Sequence, residues 1–239
     1  MNITTKAHTW WEQLKTVVII ESRKKETTIL TSVKYKGLIR DRPHVTIFCG
    51  RKGSGKTQLL VKLLRDKEGY RHVYDEVLIV SPTFRLQDVW NRVSPEGITV
   101  YEAFSEEILE KIYTEQKPHV KSLLILDDNG EDLRRINQQV FNKLISNSRH
   151  LNLSVICLLQ KLTQAPTILR SNTDCFAVFA ACSTREQDVL FAEIGVLEKG
   201  KFKQMFSDAT CDRYSCLVVS MQDGKLRFYK NFESEYIIK

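Results

Sequence analysis

The stretch from His44 to Leu64, HVTIFCGRKGSGKTQLLVKLL, constrains this chain more than any other: an apolar run, a glycine-rich turn and the beginning of a helix. Within it Gly50-Arg51-Lys52-Gly53-Ser54-Gly55-Lys56-Thr57 satisfies the pattern G-x-x-x-x-G-K-S/T, in which each fixed position has a physical task. Gly50, Gly53 and Gly55 permit backbone torsions closed to other residues, so successive N–H groups can turn inward onto phosphate oxygens. Lys56 is expected to reach the β- and γ-phosphates and Thr57 to hold Mg²⁺, with the positive end of the following helix aimed at the anion. Val45, Ile47 and Phe48 supply a strand before the turn, and Leu59, Leu60, Leu63 and Leu64 recur at helical spacing after it. Strand, turn and helix together describe a cradle for a nucleotide's phosphates.

A second stretch, Lys121-Ser122-Leu123-Leu124-Ile125-Leu126-Asp127-Asp128, reads as a buried strand that delivers two carboxylates at its C-terminal end, the edge of an α/β sheet where ligands bind. Asp127 is expected to hold the metal through water or Thr57, and Asp128 to polarise the attacking water. An apolar strand ending in two acids is common by itself; after a phosphate loop it completes a site.

Between and beyond these stretches, strands alternate with helices. Glu76 to Ser81 is a strand stopped by Pro82, with a helix expected through Val89 and Trp90. Pro95-Glu96-Gly97 turns into the strand Ile98-Thr99-Val100, and Ser105 caps a helix carrying Glu106 and Glu107 in its first turn. Glu131 to Asn147 presents one apolar face, Ser154 to Leu159 is the next buried strand, Pro166 to Arg170 a short helix, and Cys175 to Cys182 another apolar strand. Lys199 to Phe206 reads as a helix. Ser215 to Ser220 and Lys225 to Tyr229 form a hairpin around Gln222-Asp223-Gly224. Repeated βα units predict an α/β fold with a mainly parallel central sheet flanked by helices.

Sheet geometry then sorts the polar residues. A strand of about seven residues spans roughly 20 Å at about 3.3 Å per residue. Gln160, at the end of its strand, should lie beside the chain's own nucleotide, whereas Arg149, before that strand, should lie too far away to touch it. Arg149 can instead serve a neighbour's nucleotide as a trans-acting arginine finger, or simply cap its helix. Arg170 is a second trans candidate, and Arg185 follows a strand on the ligand edge.

The length of 239 residues suits one core. Its formal charge of +7 is uneven: Met1 to Arg40 holds eight Lys and Arg against three acids, and Lys199 to Lys239 eight against five. Basic ends around a neutral centre are expected if the flanks meet a polyanion. The domain reading is a basic N-terminal extension over residues 1–40, with a short helix at Trp10, Trp11 and Leu14 and one or two edge strands, packed on an ATPase domain over 41–239. The six cysteines include no C-x-x-C pair and are expected to be reduced, buried thiols without zinc. No run has the length of a membrane span, and the N-terminus lacks the pattern of a signal peptide, so direct membrane insertion is not expected and the cytosol or nucleus is.

Taken together, GRKGSGKT, LLILDD and NSRHLNLSVICLLQK resemble the genome-packaging ATPases of double-jelly-roll DNA viruses, a poxvirus, giant-virus and virophage branch of the FtsK–HerA superfamily. The resemblance covers about Pro43 to Ser220. It implies a RecA-like fold, ATP and Mg²⁺ as ligands, and Gln160 as a polar sensor on the strand between phosphate loop and acidic strand. It also implies Arg149 serving the neighbouring subunit, a ring of five or six copies, and ATP-driven movement of double-stranded DNA into a preformed capsid. A capsid or portal partner and a place in the host's cytoplasmic viral factory or the virion follow from the same likeness. Many superfamily members carry Asp-Glu where this chain has Asp127-Asp128. The residues alone support a Mg²⁺-dependent P-loop NTPase with a trans arginine and basic flanks. Two other classes are a nucleotide-switched assembly factor of the Zot type that never moves DNA, and a small-substrate kinase, for which no lid segment with clustered arginines is present. DNA-stimulated turnover separates the motor from both.

Overall fold

The computed structural model describes residues 17–20, 28–32, 35–93, 96–135, 138–180, 183–195, 198–222 and 224–237. Its strands are β1 (Val17–Ile20), β2 (Thr28–Ser32), β3 (Val45–Cys49), β4 (Glu76–Val80), β5 (Ile98–Tyr101), β6 (Ser122–Asp127), β7 (Leu153–Leu159), β8 (Cys175–Phe179), β9 (Cys216–Gln222), β10 (Lys225–Lys230) and β11 (Ser234–Ile237). The helices are α1 (Lys56–Arg65), α2 (Glu106–Glu115), α3 (Asp132–Arg135), α4 (Gln138–Asn147), α5 (Thr167–Ser171), α6 (Thr184–Ile194) and α7 (Lys199–Ala209).

All these strands join one sheet in the order β1-β2-β11-β10-β9-β8-β3-β7-β6-β4-β5. From β8 to β5 every pairing is parallel. From β8 to β1 every pairing is antiparallel, so the C-terminal hairpin of β9 and β10 and the N-terminal strands extend the parallel core as a second block. Strand β7 separates the phosphate-loop strand β3 from the acidic strand β6.

The parallel strands are continuous apolar runs because both of their faces are covered. Alternate residues of β3 show the division: Val45, Ile47 and Cys49 enter a core built with α2, α4, α5, α6 and α7, whereas Phe48 faces α1 through Leu60, Val61, Leu63 and Leu64. Burying one such leucine contributes about 1.5–3 kcal/mol, and the leucine spacing of α1 puts all of that gain on one side.

Several expectations change. The segment after β4 is not an α-helix but two 3₁₀ turns, Phe84–Leu86 and Trp90–Arg92. Val89 and Trp90 are adjacent in sequence and so cannot form the three-and-four spacing of an apolar stripe. The strand from Cys175 stops at Phe179, and α6 and β11 add elements that the sequence reading lacked. Of the cysteines, Cys49, Cys157, Cys175 and Cys216 are buried as expected, but Cys211 is exposed in the turn after α7; Cys182 lies outside the described residues. So do the proposed helix at Trp10 to Leu14, Pro95 and Ile136. Ser105 does cap α2, accepting from the Ile108 N–H at 3.3 Å.

Candidate nucleotide-binding site

The loop after β3 takes its shape from contacts that only its glycines allow. Gly50 donates its N–H to the Leu159 carbonyl at 3.1 Å, tying the loop to β7. A Cβ on Gly50 would stand 2.8 Å from both Phe179 Cβ and Ser54 Oγ, so the backbone passes where no side chain fits. Gly53 and Gly55 have φ of 78° and 100°, values that favour glycine, and Gly55 turns directly into α1. Between them the Ser54 N–H closes on the Arg51 carbonyl at 3.1 Å.

Lys56 opens α1 and folds back along the loop, its Nζ donating to the carbonyls of Gly50 at 2.6 Å and Arg51 at 3.2 Å. Burial pulls its pKa below the usual lysine value, opposed by Cys49 beside it and by the carboxylates of Asp127 and Asp128. The amine is thus an only partly solvated cation facing two carboxylates across the cleft.

Asp127, at the end of β6, is 3% exposed. Three donors converge on its Oδ2: Ser81 Oγ at 3.4 Å, Gln87 Nε2 at 3.3 Å and the Trp90 indole N–H at 3.3 Å. Desolvation raises its pKa; the hydrogen bonds from Trp90 and Gln87 and the charge of Lys56 oppose that rise, while Asp128 adds to it. A desolvated carboxylate with one oxygen pinned by donors gains most from a cation on the other, and Thr57 lines the same cleft. A few oxygen donors of this kind fit Mg²⁺, which keeps several of its waters. Sequence reasoning missed all three as partners of Asp127: Ser81 stands at the end of the strand it was read in, and Gln87 and Trp90 sit on the segment expected to be a helix.

Asp128 follows with φ of 60°, the left-handed region that Asp tolerates better than most residues. The turn exposes its carboxylate, and Gln160 Nε2 donates to Oδ1 at 3.0 Å. Gln160 stands just past the end of β7, so the parallel register that sets β7 against β6 brings the two together.

These groups share one cleft of about 530 Å³, whose walls include Lys52, Gly53, Gly55, Lys56 and Thr57 from the loop and its helix, with Asp127, Asp128 and Gln160 opposite. The segment after β4 adds a rim with Leu86, 83% exposed, and the far side carries Tyr214. Neither Leu86 nor Tyr214 was singled out from the sequence.

Arg149 is not in the cleft. It lies at the opposite edge of the sheet, where its Nη2 meets Asp174 Oδ1 at 3.0 Å while its side chain stays 64% exposed. Asp174 is buried; it also receives Arg42 at 3.5 Å and accepts the Val45 N–H at 3.0 Å. Arg42 is a second cation at that edge that the sequence reading did not consider. Arg170 is tied to Glu193 at 2.8 Å, and Arg185 is exposed in the first turn of α6, outside the cleft lining.

The chain is 24% identical over 181 residues to protein 015R of Frog virus 3 (isolate Goorha), an alignment covering 72% of this chain and 55% of that protein. The chain thus spans about half the length of that relative. It is 28% identical over 189 residues to protein 075L of Invertebrate iridescent virus 6, covering 74% and 71% of the two. Among solved structures it superposes on the genome packaging NTPase B204 of Sulfolobus turreted icosahedral virus 2, in complex with AMP, with a TM-score of 0.60 at 16% identity, over 78% of this chain and 96% of that one. The fold is therefore the mixed α/β fold of the P-loop NTPases. The family model described as Poxvirus A32 protein matches residues 31–222, four-fifths of the sequence, and the chain belongs to that family.

Proposed function

We propose that this chain is the ATP-hydrolysing motor that drives double-stranded DNA into a viral capsid. The observation that carries the reading is the meeting, in a member of the A32 family, of a complete phosphate loop with Asp127, Asp128 and Gln160 across one cleft. The shared fold of B204, itself a genome packaging NTPase, supports it.

In this reading the N–H groups from Gly50 to Thr57 cradle the phosphates, and Lys56 leaves the Gly50 and Arg51 carbonyls to meet them. Thr57 and Asp127 would hold Mg²⁺, which would supply neutralisation of the phosphate charge. Asp128 takes the proton of the attacking water, held in line by Gln160, whose amide already touches that carboxylate. Arg149, exposed at the far edge, completes the site of a neighbouring copy. That requires a ring of five or six copies, with duplex DNA in its path and a capsid or portal protein at its mouth. The basic residues of positions 1–40, read as an extension of the ATPase domain over 41–239, contact DNA phosphates. The expected place of work is the cytoplasmic viral factory or the virion; among the described residues no helix is long and apolar enough to cross a membrane.

Steady-state ATPase measurements with and without duplex DNA, at several protein concentrations, test the proposal. A motor shows DNA-stimulated turnover whose specific activity rises with concentration as subunits assemble. Turnover indifferent to DNA and strictly proportional to protein would favour the nucleotide-switched assembly factor instead.

A further inference from the structure

The carboxylates and Gln160 mark the end of the cleft where the transferred phosphate lies, which leaves the Gly55 side for the rest of the nucleotide. There, among the described lining residues, stands the cleft's one aromatic side chain, Tyr214. Core packing does not explain its position, because it is 48% exposed. Its φ of 67° puts a bulky residue in the left-handed region, a conformation that persists only where the surroundings enforce it.

The surroundings do enforce it. The Ser215 N–H and Oγ both bond the Asp212 carbonyl, at 3.2 and 2.6 Å, and the Asp212 carboxylate is gripped by Lys230 of β10 at 2.6 Å. The Arg213 guanidinium lies over the Tyr214 ring, 4.7 Å from its centroid. On the loop side the contact is close enough that a Cβ at Gly55 would stand 3.2 Å from Tyr214 Cβ and Cδ1. One ring face is taken by a cation and one edge by the phosphate loop.

We propose that the remaining face of Tyr214 is the stacking platform for the nucleotide's base, set by the 211–215 turn at a fixed offset from the phosphate loop. Stacking of a base on an aromatic ring needs no hydrogen-bond code and strengthens with the area of the base; the ligand class is a nucleoside triphosphate held at one end by its phosphates and at the other by its ring. The inference rests on the cleft being the nucleotide site.

Titration calorimetry with ATP and, separately, with inorganic tripolyphosphate tests both levels. Tyr214→Asn removes the ring yet suits the left-handed backbone. It is expected to weaken ATP about tenfold or more while tripolyphosphate binds as to wild type and the melting temperature holds. Tyr214→Phe, which keeps the ring, restores ATP affinity to within a few-fold. Lys56→Ala loses both ligands; if it kept both, the cleft assignment itself would fall, and Tyr214 with it. Wild-type ATP affinity in Tyr214→Asn, or an equal loss of ATP and tripolyphosphate, would overturn the platform by showing no role or a role in shaping the loop. A Tyr214→Phe variant as weak as Tyr214→Asn would place the effect in the hydroxyl and overturn stacking.

Discussion

At the far edge of the parallel strands His44, Thr46 and Asp174 are buried and bonded, whereas at the ligand edge Asp128 and Gln160 are exposed and lean mainly on each other. His44 shows the first style. Its Nδ1 pairs with Thr46 Oγ1 at 2.9 Å, its Nε2 with the Tyr74 hydroxyl at 3.0 Å, and Tyr70 stacks on it with centroids 5.8 Å apart. Burial lowers its pKa to about 3, with Arg42 and Lys121 adding to the effect. Such an edge is closed, its polar groups spent on holding strand ends in place. The ligand edge keeps a partly desolvated Lys56 and a buried Asp127, with one carboxylate oxygen pinned by donors, on the walls of one open cleft, which suits a site that receives a charged ligand. Polar residues at strand ends thus serve stability where they are mutually satisfied and chemistry where they are held ready.

The largest test of that contrast is Lys56→Ala at the ligand edge. It is expected to abolish measurable ATP binding and turnover while leaving the melting temperature near wild type, because the amine bonds only loop carbonyls. A calorimetric titration with unchanged affinity would remove the contrast at its root.

His44 provides the converse at the far edge. Its folded pKa lies below the unfolded value of about 6.5, so the unfolded chain takes up the proton first. The stabilisation is complete above about pH 6.5, is lost as pH falls, and levels off near pH 3. At about 1.4 kcal/mol per pKa unit the loss is roughly 4–5 kcal/mol. Denaturant midpoints across that range should fall steeply for wild type and less for His44→Asn, with ATP affinity at neutral pH the same in both. Equal slopes would show that His44 is not the group responsible.

Arg149 crosses the divide, since it belongs to the closed edge of its own subunit and is proposed to work at the open edge of another. Arg149→Ala should bind ATP normally and hydrolyse it about 10³-fold more slowly or worse. Mixed with Lys56→Ala, it should regain partial activity, because some interfaces then pair an intact cradle with an intact arginine. If subunits exchange and nothing returns, the trans role passes to Arg42 or Arg170.

Asp128→Asn is expected to retain ATP and Mg²⁺ but slow turnover about 10²-fold or more. Survival of turnover within a few-fold would turn attention to Glu131 and Asp132. The smallest effect is expected of Trp90→Phe, which removes one of three donors to Asp127. It should weaken Mg²⁺-dependent ATP binding a few-fold, and titration of ATP with and without Mg²⁺ would detect it.

Much of the site was legible in the chain because its chemistry is local. The glycines, Lys56 and Thr57 are neighbours in sequence, and Asp127-Asp128 ends an apolar run, so spacing alone announces them. Gln160 was legible one step further, through the rule that parallel strands end at a common edge. The 3₁₀ turns after β4 and the strand β11 were not, because their apolar residues lack a clean period and tertiary contacts settle such segments; α6 did carry local signals that the reading passed over, Ser183 three residues before Glu186, Leu190 and Ile194 four apart, and Gly195 at its end.

What the sequence by itself determined was the phosphate loop, the acidic strand and the parallel α/β core, since backbone torsion at glycine and the burial of continuous apolar runs act within a few residues. Only the tertiary structure decided that Ser81, Gln87 and Trp90 would converge on one oxygen of Asp127, that Tyr214 would close on Gly55, and that Asp174 would hold Arg149. Each of those contacts joins residues far apart in the chain. Their meeting depends on the order in which strands pair, and that order is set by the packing of both faces of the sheet together.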